Sequence, residues 1–202
     1  MSDKKEIIFD VETKNLFPPD RQPDPAALGV SIVSVYQRTV DKDGNEIEGQ
    51  IKSFWEKDFD ALWPLFQTAD RIIGFNTIGF DVPALQPYTQ IPLKKLNHLD
   101  IHYELRNKTG RRISLNACAK ESLNSHKTDV GINAVLYWQK GDPESLAKLQ
   151  SYCEADVILT RDLYDYAKKH NHIKYKDHWN TPHIVELDFS YPETEEEQTS
   201  LF

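Results

Sequence analysis

The sequence predicts an α/β fold on a mixed sheet, with an antiparallel meander of strands first and strands alternating with helices after it. Three observations carry this expectation. The run Ile7-Ile8-Phe9 is short, continuous and apolar, the pattern of a buried strand. Two segments of strand composition follow, residues 28–38 and 46–55, joined by the turn Asp41-Lys42-Asp43-Gly44-Asn45. Beyond Arg71, short apolar runs alternate with helical patterns as far as His170.

Each element has its own reason. The first strand ends in Asp10-Val11-Glu12-Thr13, and residues two apart on a strand point to one side, so Asp10 and Glu12 face together. Two carboxylates placed there either run out into solvent or share a divalent cation. Residues 13–25 are rich in Pro and Asp and read as a loop, with apolar Leu16 and Phe17 inside it. Residues 58–68 form a short helix candidate that Pro64 weakens. Residues 71–76 make another buried strand, and residues 77–81 turn into a helix through Tyr88. Residues 96–101 read as the last strand. Helices are expected over 114–123, over 131–139 and from Pro143 onward. Residues 172–190 are open between a peripheral strand and an ordered extension, and residues 192–197 have a disordered composition.

The totals bound the answer. At 202 residues and 39% hydrophobic, the chain suffices for one well-buried domain without a second core. Its apolar runs are too short to span a bilayer, and Met1 to Glu6 leads into the first strand without a signal-peptide pattern. Cys118 and Cys153 lie far apart and suggest neither zinc nor a disulfide framework, so a reducing bacterial-type cytosol is the expected compartment. The net charge of −8 opposes a nucleic-acid partner, yet it is unevenly spread. Glu193, Glu195, Glu196 and Glu197 crowd the tail, whereas Lys94, Lys95, Arg106, Lys108, Arg111, Arg112, Lys120 and Lys127 occupy the middle. Net charge leaves the partner open. The histidines are expected in the core or in solvent, and Trp55, Trp63, Trp138 and Trp179 are expected to pack.

Three acidic points remain. Asp10 and Glu12 end the first strand. Asp81 follows Asn76-Thr77-Ile78-Gly79-Phe80, at the position of a helix N-terminal residue. Tyr152 and Asp156 are four apart on the long helix and share one face, beside an apolar stripe of Leu149, Cys153, Val157 and Leu163.

In order and spacing, Asp10-x-Glu12, Asn76-x-x-x-Phe80-Asp81 and Tyr152-x-x-x-Asp156 resemble the three motifs of the DEDDy 3′–5′ exonucleases. These belong to the RNase H-like, or proofreading-exonuclease, superfamily. The DEDDh sister type needs a His five before the last Asp, where this chain has Ser151. The resemblance implies an RNase H-like mixed five-stranded sheet flanked by helices, filling residues 1–172. Residues 173–190 would then be a peripheral extension and 191–202 an acidic flexible tail.

The resemblance also implies chemistry. Asp10, Glu12, Asp81 and Asp156 would hold two Mg²⁺ or Mn²⁺ ions roughly 3.5–4 Å apart, with the residue matching Asp10 bridging both. One ion would lower the pKa of a water that Tyr152 orients for attack on the terminal phosphodiester, and the other would stabilise the leaving 3′ oxygen. Oxygen-only ligands suit these hard cations, and the sequence shows no His/Cys cluster for zinc. Thr13, Leu16, Asn76 and Phe80 are the substrate-contacting candidates, with Leu16 placed to wedge against the last base. The chain departs from the family at Lys14-Asn15, where Thr-Gly often stands, and at Phe75, where His is frequent. Those departures bear on the loop and the pocket lining, not on the metal ligands.

The last residues, Gln198-Thr199-Ser200-Leu201-Phe202, resemble the bacterial sliding-clamp-binding pentapeptide. Gln198 and Ser200 would tether an extended peptide while Leu201 and Phe202 fill an apolar groove, at the end of a Glu-rich reach. The expected function is therefore metal-dependent removal of nucleotides from single-stranded or frayed DNA 3′ ends, in proofreading or repair at a clamp beside a polymerase. The alternatives are an RNA-trimming exoribonuclease, which would read the 2′-OH, and a non-catalytic clamp- or nucleic-acid-binding module.

Overall fold

Ile7, Ile8, Phe9 and Val11 are all buried, so both faces of the first strand, β1 (Lys4–Thr13), need cover. The computed structural model describes residues 3–20, 22–125 and 131–191, and it places β1 in the middle of the sheet. The other strands are β2 (Val30–Val40), β3 (Glu46–Trp55), β4 (Arg71–Gly74) and β5 (His98–Asp100), in the order β3-β2-β1-β4-β5. β2 runs antiparallel to β1 and β3, whereas β4 runs parallel to β1 and β5. This is the mixed five-stranded sheet expected above, flanked among the described residues by six α-helices.

The even and odd residues of β1 look into different cores. Ile7, Phe9 and Val11 pack with α1 (Trp63–Thr68) and α2 (Asp81–Leu85), and Phe9 meets Phe66 edge-on at 4.9 Å. Ile8 packs on the other face against α3 (Ile101–Thr109), α4 (Leu115–Leu123) and the long α6 (Pro143–His170). α5 (Gly131–Lys140) joins α6 over β2 through Ala134, Leu149 and Ile32. Burying a side chain as large as Phe9 stabilises by about 2–3 kcal/mol, so register here is strongly specified.

Local chemistry fixes the boundaries. Gly29 has φ of +67°, which holds the start of β2 back to Val30. Pro64 falls in the first turn of α1 rather than weakening its interior, and residues 56–61 form a separate 3₁₀ turn before it. α6 starts at Pro143 behind Asp142, whose carboxylate accepts from the Ser145 N–H and is held down at about 2 by that bond. Residues 172–190 contribute a hairpin of β6 (His172–Lys176) and β7 (Pro182–Glu186), whose Ile173 and Tyr175 enter the core beside α4.

At the start of β1, Glu6 is fully buried and accepts from Arg38 Nε at 2.9 Å and from the Tyr164 and Tyr191 hydroxyls at 2.9 Å. Arg38 also grips Asp165 on α6 through two nitrogens, at 2.8 and 2.6 Å. Arg71 donates to Tyr164 and to the carbonyls of Phe189 and Ser190, which ties the segment after β7 to the sheet.

His98 on β5 generates a pH prediction. Its Nε2–H donates to the Leu93 carbonyl at 2.8 Å, its Nδ1 is buried without a hydrogen-bond partner, and burial pulls the imidazole below its usual 6.5. The folded pKa lies below the unfolded one, so the stabilisation is present above 6.5 and is lost as the pH falls from there through the folded value. Thermal unfolding followed from pH 8 down to pH 5 should show Tm falling below about 6.5, with a shallower fall in His98→Gln. Identical acid slopes in the two proteins would clear His98 of the effect.

Candidate metal and active site

The end of β1 aims two carboxylates at α6. Asp10 and Glu12 lie on the same face, and a register shift between Glu12 and Thr13 bends the strand where Ser31 donates to the Glu12 carbonyl at 2.9 Å. On α6, Asp156 stands one helical turn beyond Tyr152. Carboxylate oxygens of Asp10, Glu12 and Asp156 all come within 4.8 Å of one another, and Glu12 and Asp156 are buried. At that separation each like-charged pair repels by about 3–4 kcal/mol at an effective dielectric near 20. A divalent cation between the oxygens reverses that sign, and an all-oxygen donor set fits Mg²⁺ or Mn²⁺.

Cys153 seats the helix on the strand. Its Sγ lies 3.5 Å from the Asp10 carbonyl and 3.9 Å from Asp10 Oδ2, and burial together with Asp10 and Glu12 pushes the thiol well above its usual range. It is fully buried and packs between helix and strand. Tyr152 is buried and hydrogen-bonded to Asp156; burial first, then Asp156, Glu12 and Asp10, raises its pKa far above that of an ordinary phenol. The phenol thus sits among the three carboxylates as a hydrogen-bond donor.

Asp81 arrives from the neighbouring strand. β4 is parallel to β1, so the turn after it returns to the same sheet edge. Asp81 opens α2, and its Oδ1 accepts from the Val11 N–H at 3.1 Å, between Asp10 and Glu12. The turn itself is unusual. Asn76 sits at φ +68°, and a Cβ on Gly74 would lie 2.1 Å from Thr77 Cγ2, so only glycine fits there. Buried Asp100 holds this turn: its carboxylate accepts from the N–H of Asn76 at 2.8 Å and of Ile78 at 2.9 Å, and it caps α3 through Tyr103. No role for Asp100 is expected from the sequence, because α3 is not among the helices predicted there and the reach to Asn76 depends on the pairing of β5 with β4.

A pocket of about 320 Å³ opens over these groups. All five residues expected to be catalytic line it, as do Thr13, Leu16, Asn76 and Phe80. Thr13 is buried, and its hydroxyl donates to the Asn15 carbonyl at 2.9 Å. Leu16 is 52% exposed on the rim, and Phe17, half-exposed beside it, meets Phe80 edge-on at 6.0 Å. Asn15, which stands at a departure from the family pattern, ties this loop down by donating to the Leu28 carbonyl at 3.0 Å. Of the expected packing tryptophans, Trp63 is buried and Trp55 stacks on Trp138, but Trp179 is 70% exposed because it sits at the β6–β7 turn. Lys127 and the tail residues Gln198, Ser200, Leu201 and Phe202 lie outside the described residues.

The sequence profile of the RNase_H superfamily matches residues 7–168, and the chain belongs to that superfamily. No curated protein sequence matches it. Among solved structures it is similar to the family B DNA polymerase of the hyperthermophilic archaeon Pyrobaculum calidifontis, with a TM-score of 0.55 and 20% identity over 81% of this chain. It also resembles E. coli exonuclease I in complex with a dA16 oligonucleotide, with a TM-score of 0.45 and 15% identity over 82% of this chain. The zinc-bound E. coli exonuclease I–single-stranded DNA complex gives 0.44 and 13% over 83%. The chain spans 24% of the polymerase and 41% of each exonuclease chain. The polymerase likeness bears on the fold alone. Among the described residues, no helix is long and apolar enough to cross a membrane.

Because Asp100 holds the Asn76 turn, Asp100→Ala strands two part-buried N–H groups and should lower stability by about 2 kcal/mol. Urea unfolding checks this as a lower midpoint at an unchanged m-value. An unchanged midpoint would mean that the turn holds itself.

Proposed function

We propose that this protein is a metal-dependent 3′–5′ exonuclease of the DEDDy type that trims DNA. The observation that carries the reading is the meeting of Asp10, Glu12 and Asp156 within 4.8 Å, with Tyr152 bonded to Asp156 and Asp81 bonded between the two strand carboxylates. Asp10, Glu12 and Asp156 would hold the ions, with Asp81 beside them. When bound, such ions acidify a water and offset the charge that builds on a phosphodiester under attack. The protein's own groups do the rest. Tyr152 would offer its hydroxyl to position a water or a phosphate oxygen over Asp156. Asn76 and Phe80 flank the terminal nucleotide, and exposed Leu16 and Phe17 stand where a base would be separated from its neighbour.

DNA is preferred over RNA in this reading because the tail residues Gln198, Ser200, Leu201 and Phe202 resemble a sliding-clamp peptide. Tethering at a clamp would put the activity in proofreading or repair, beside a polymerase.

The test is trimming of 3′-labelled and 5′-labelled single-stranded DNA and RNA with Mg²⁺, Mn²⁺ or EDTA. Shortening from the 3′ end of DNA should require metal. Asp10→Ala and Asp156→Ala should lose about 10³-fold or more in kcat. Tyr152→Phe should lose about 10- to 100-fold at unchanged Tm. Folded protein that cleaves neither polymer with either metal would overturn the reading, and preference for RNA would replace DNA as the substrate.

A further inference from the structure

A second cleft, of about 600 Å³, lies between the α3–α4 connection and the turn of the β6–β7 hairpin. Arg111, Arg112, Tyr175, His178 and Trp179 line it, and the N-terminus of α4, capped by Ser114, opens onto it. Among the described residues Trp179 is the most exposed large hydrophobic side chain, at 70%, and its ring meets that of His178 at 3.4 Å between centroids. The turn is built to present it. Asp177 accepts from the N–H groups of Trp179 and Thr181 at 3.0 Å, and Asn180 adopts φ +64° to close the loop.

Charge in the cleft favours an anion. Asp177 is occupied by those amides and by His183 Nε2 at 3.0 Å, and it lies 3.7 Å from Arg111. Lys176 is paired with Glu121. Among the described residues no carboxylate pairs with Arg106 or Arg112. The dipole of α4 adds partial positive charge where Ser114 and Ala117 meet the cleft.

The cleft is also linked to the catalytic pocket. Phe75, on the pocket wall, packs against His102 at 5.6 Å between ring centroids. Burial lowers the His102 pKa and Asp100 opposes this, while Arg106 and Arg112 lie near enough to lower it further. Arg112 then lines the cleft. Phe75 and His102 thus lead away from the pocket wall, and Arg112 shares the second cleft with Trp179.

We infer that the α3–α4 and β6–β7 cleft is a second subsite for single-stranded DNA, in which Trp179 stacks a base and Arg111 and Arg112 hold the backbone of the strand leaving the pocket. Base stacking on an exposed aromatic is tolerant of sequence, and arginines that track phosphates make binding salt-dependent. The inference rests on the exonuclease reading for which strand is held, but not for the binding itself.

The test uses the full chain with dT20 and dT3. In EDTA, Trp179→Ala and Arg112→Glu should each weaken dT20 binding about tenfold, and Arg112→Gln should make the salt dependence shallower by about one. Trp179→Phe should restore most of the affinity, and the indole emission quenched by dT20 in the parent should be missing in that variant. With Mg²⁺, the preference for trimming dT20 over dT3 should fall about tenfold in Trp179→Ala. Folded variants that bind and trim dT20 like the parent would overturn the inference and leave the cleft a surface feature. A parent that trims neither oligonucleotide while Trp179→Ala still loses dT20 binding would overturn only the exonuclease reading.

Discussion

The long helix α6 is fastened to the central strand at both ends, and the carboxylate cluster depends on the end away from the pocket. Glu6, Ile8, Asp10 and Glu12 share the face of β1 that α6 covers. At one end Tyr164 and Asp165 of α6 engage Glu6 and Arg38; at the other, Tyr152 and Asp156 meet Asp10 and Glu12. Twelve helical residues rise about 18 Å. Six strand residues rise about 20 Å. The two spans match, so fixing Tyr164 over Glu6 delivers Tyr152 over Glu12 without further adjustment. A buried ion pair is weak evidence for net stability, but it sets register well, because any slip strands a charge.

That clasp also explains how repulsive carboxylates can be held close in the folded chain. Burial of Glu12 and Asp156 is unfavourable in isolation, and α6 alone would move away from β1. Arg38 opposes that movement, with Glu6 and Asp165 holding its charge against the cost of burial. Midway, Glu154 accepts from Ser53, which is bonded to Ser34, the β2 partner of Asp10. The helix is therefore tied to β3 within a turn of Asp156. Binding free energy for a cation is then not spent on ordering the ligands, which is what preorganisation means at a metal site.

Much of this was legible in the sequence, for a physical reason. Period-two alternation puts Asp10 beside Glu12, and a spacing of four puts Tyr152 beside Asp156, so both pairs follow from local geometry. The mixed sheet followed from the order of short apolar runs. What escaped depended on contacts between distant segments. Asp100 reaches Asn76 only because β5 pairs with β4, and Glu6 is buried only because Arg38 and two tyrosines surround it. Trp179 looked like a packing residue because a hairpin of five-residue strands carries too weak a pattern to show which side chains sit at its turn.

Cys153 shows how narrow the tolerances between these segments are. Its sulfur fills the space between α6 and the backbone of Asp10, one residue after Tyr152 and three before Asp156. A larger side chain there has to lift the helix, and lifting it moves both functional groups away from β1 at once. A smaller one leaves a void directly under the carboxylates, which water can enter and solvate. Either change alters the carboxylate cluster through distance alone, with every carboxylate still present. The apolar stripe of α6 is thus part of the site: Leu149, Cys153 and Val157 set the depth at which Tyr152 and Asp156 meet the strand.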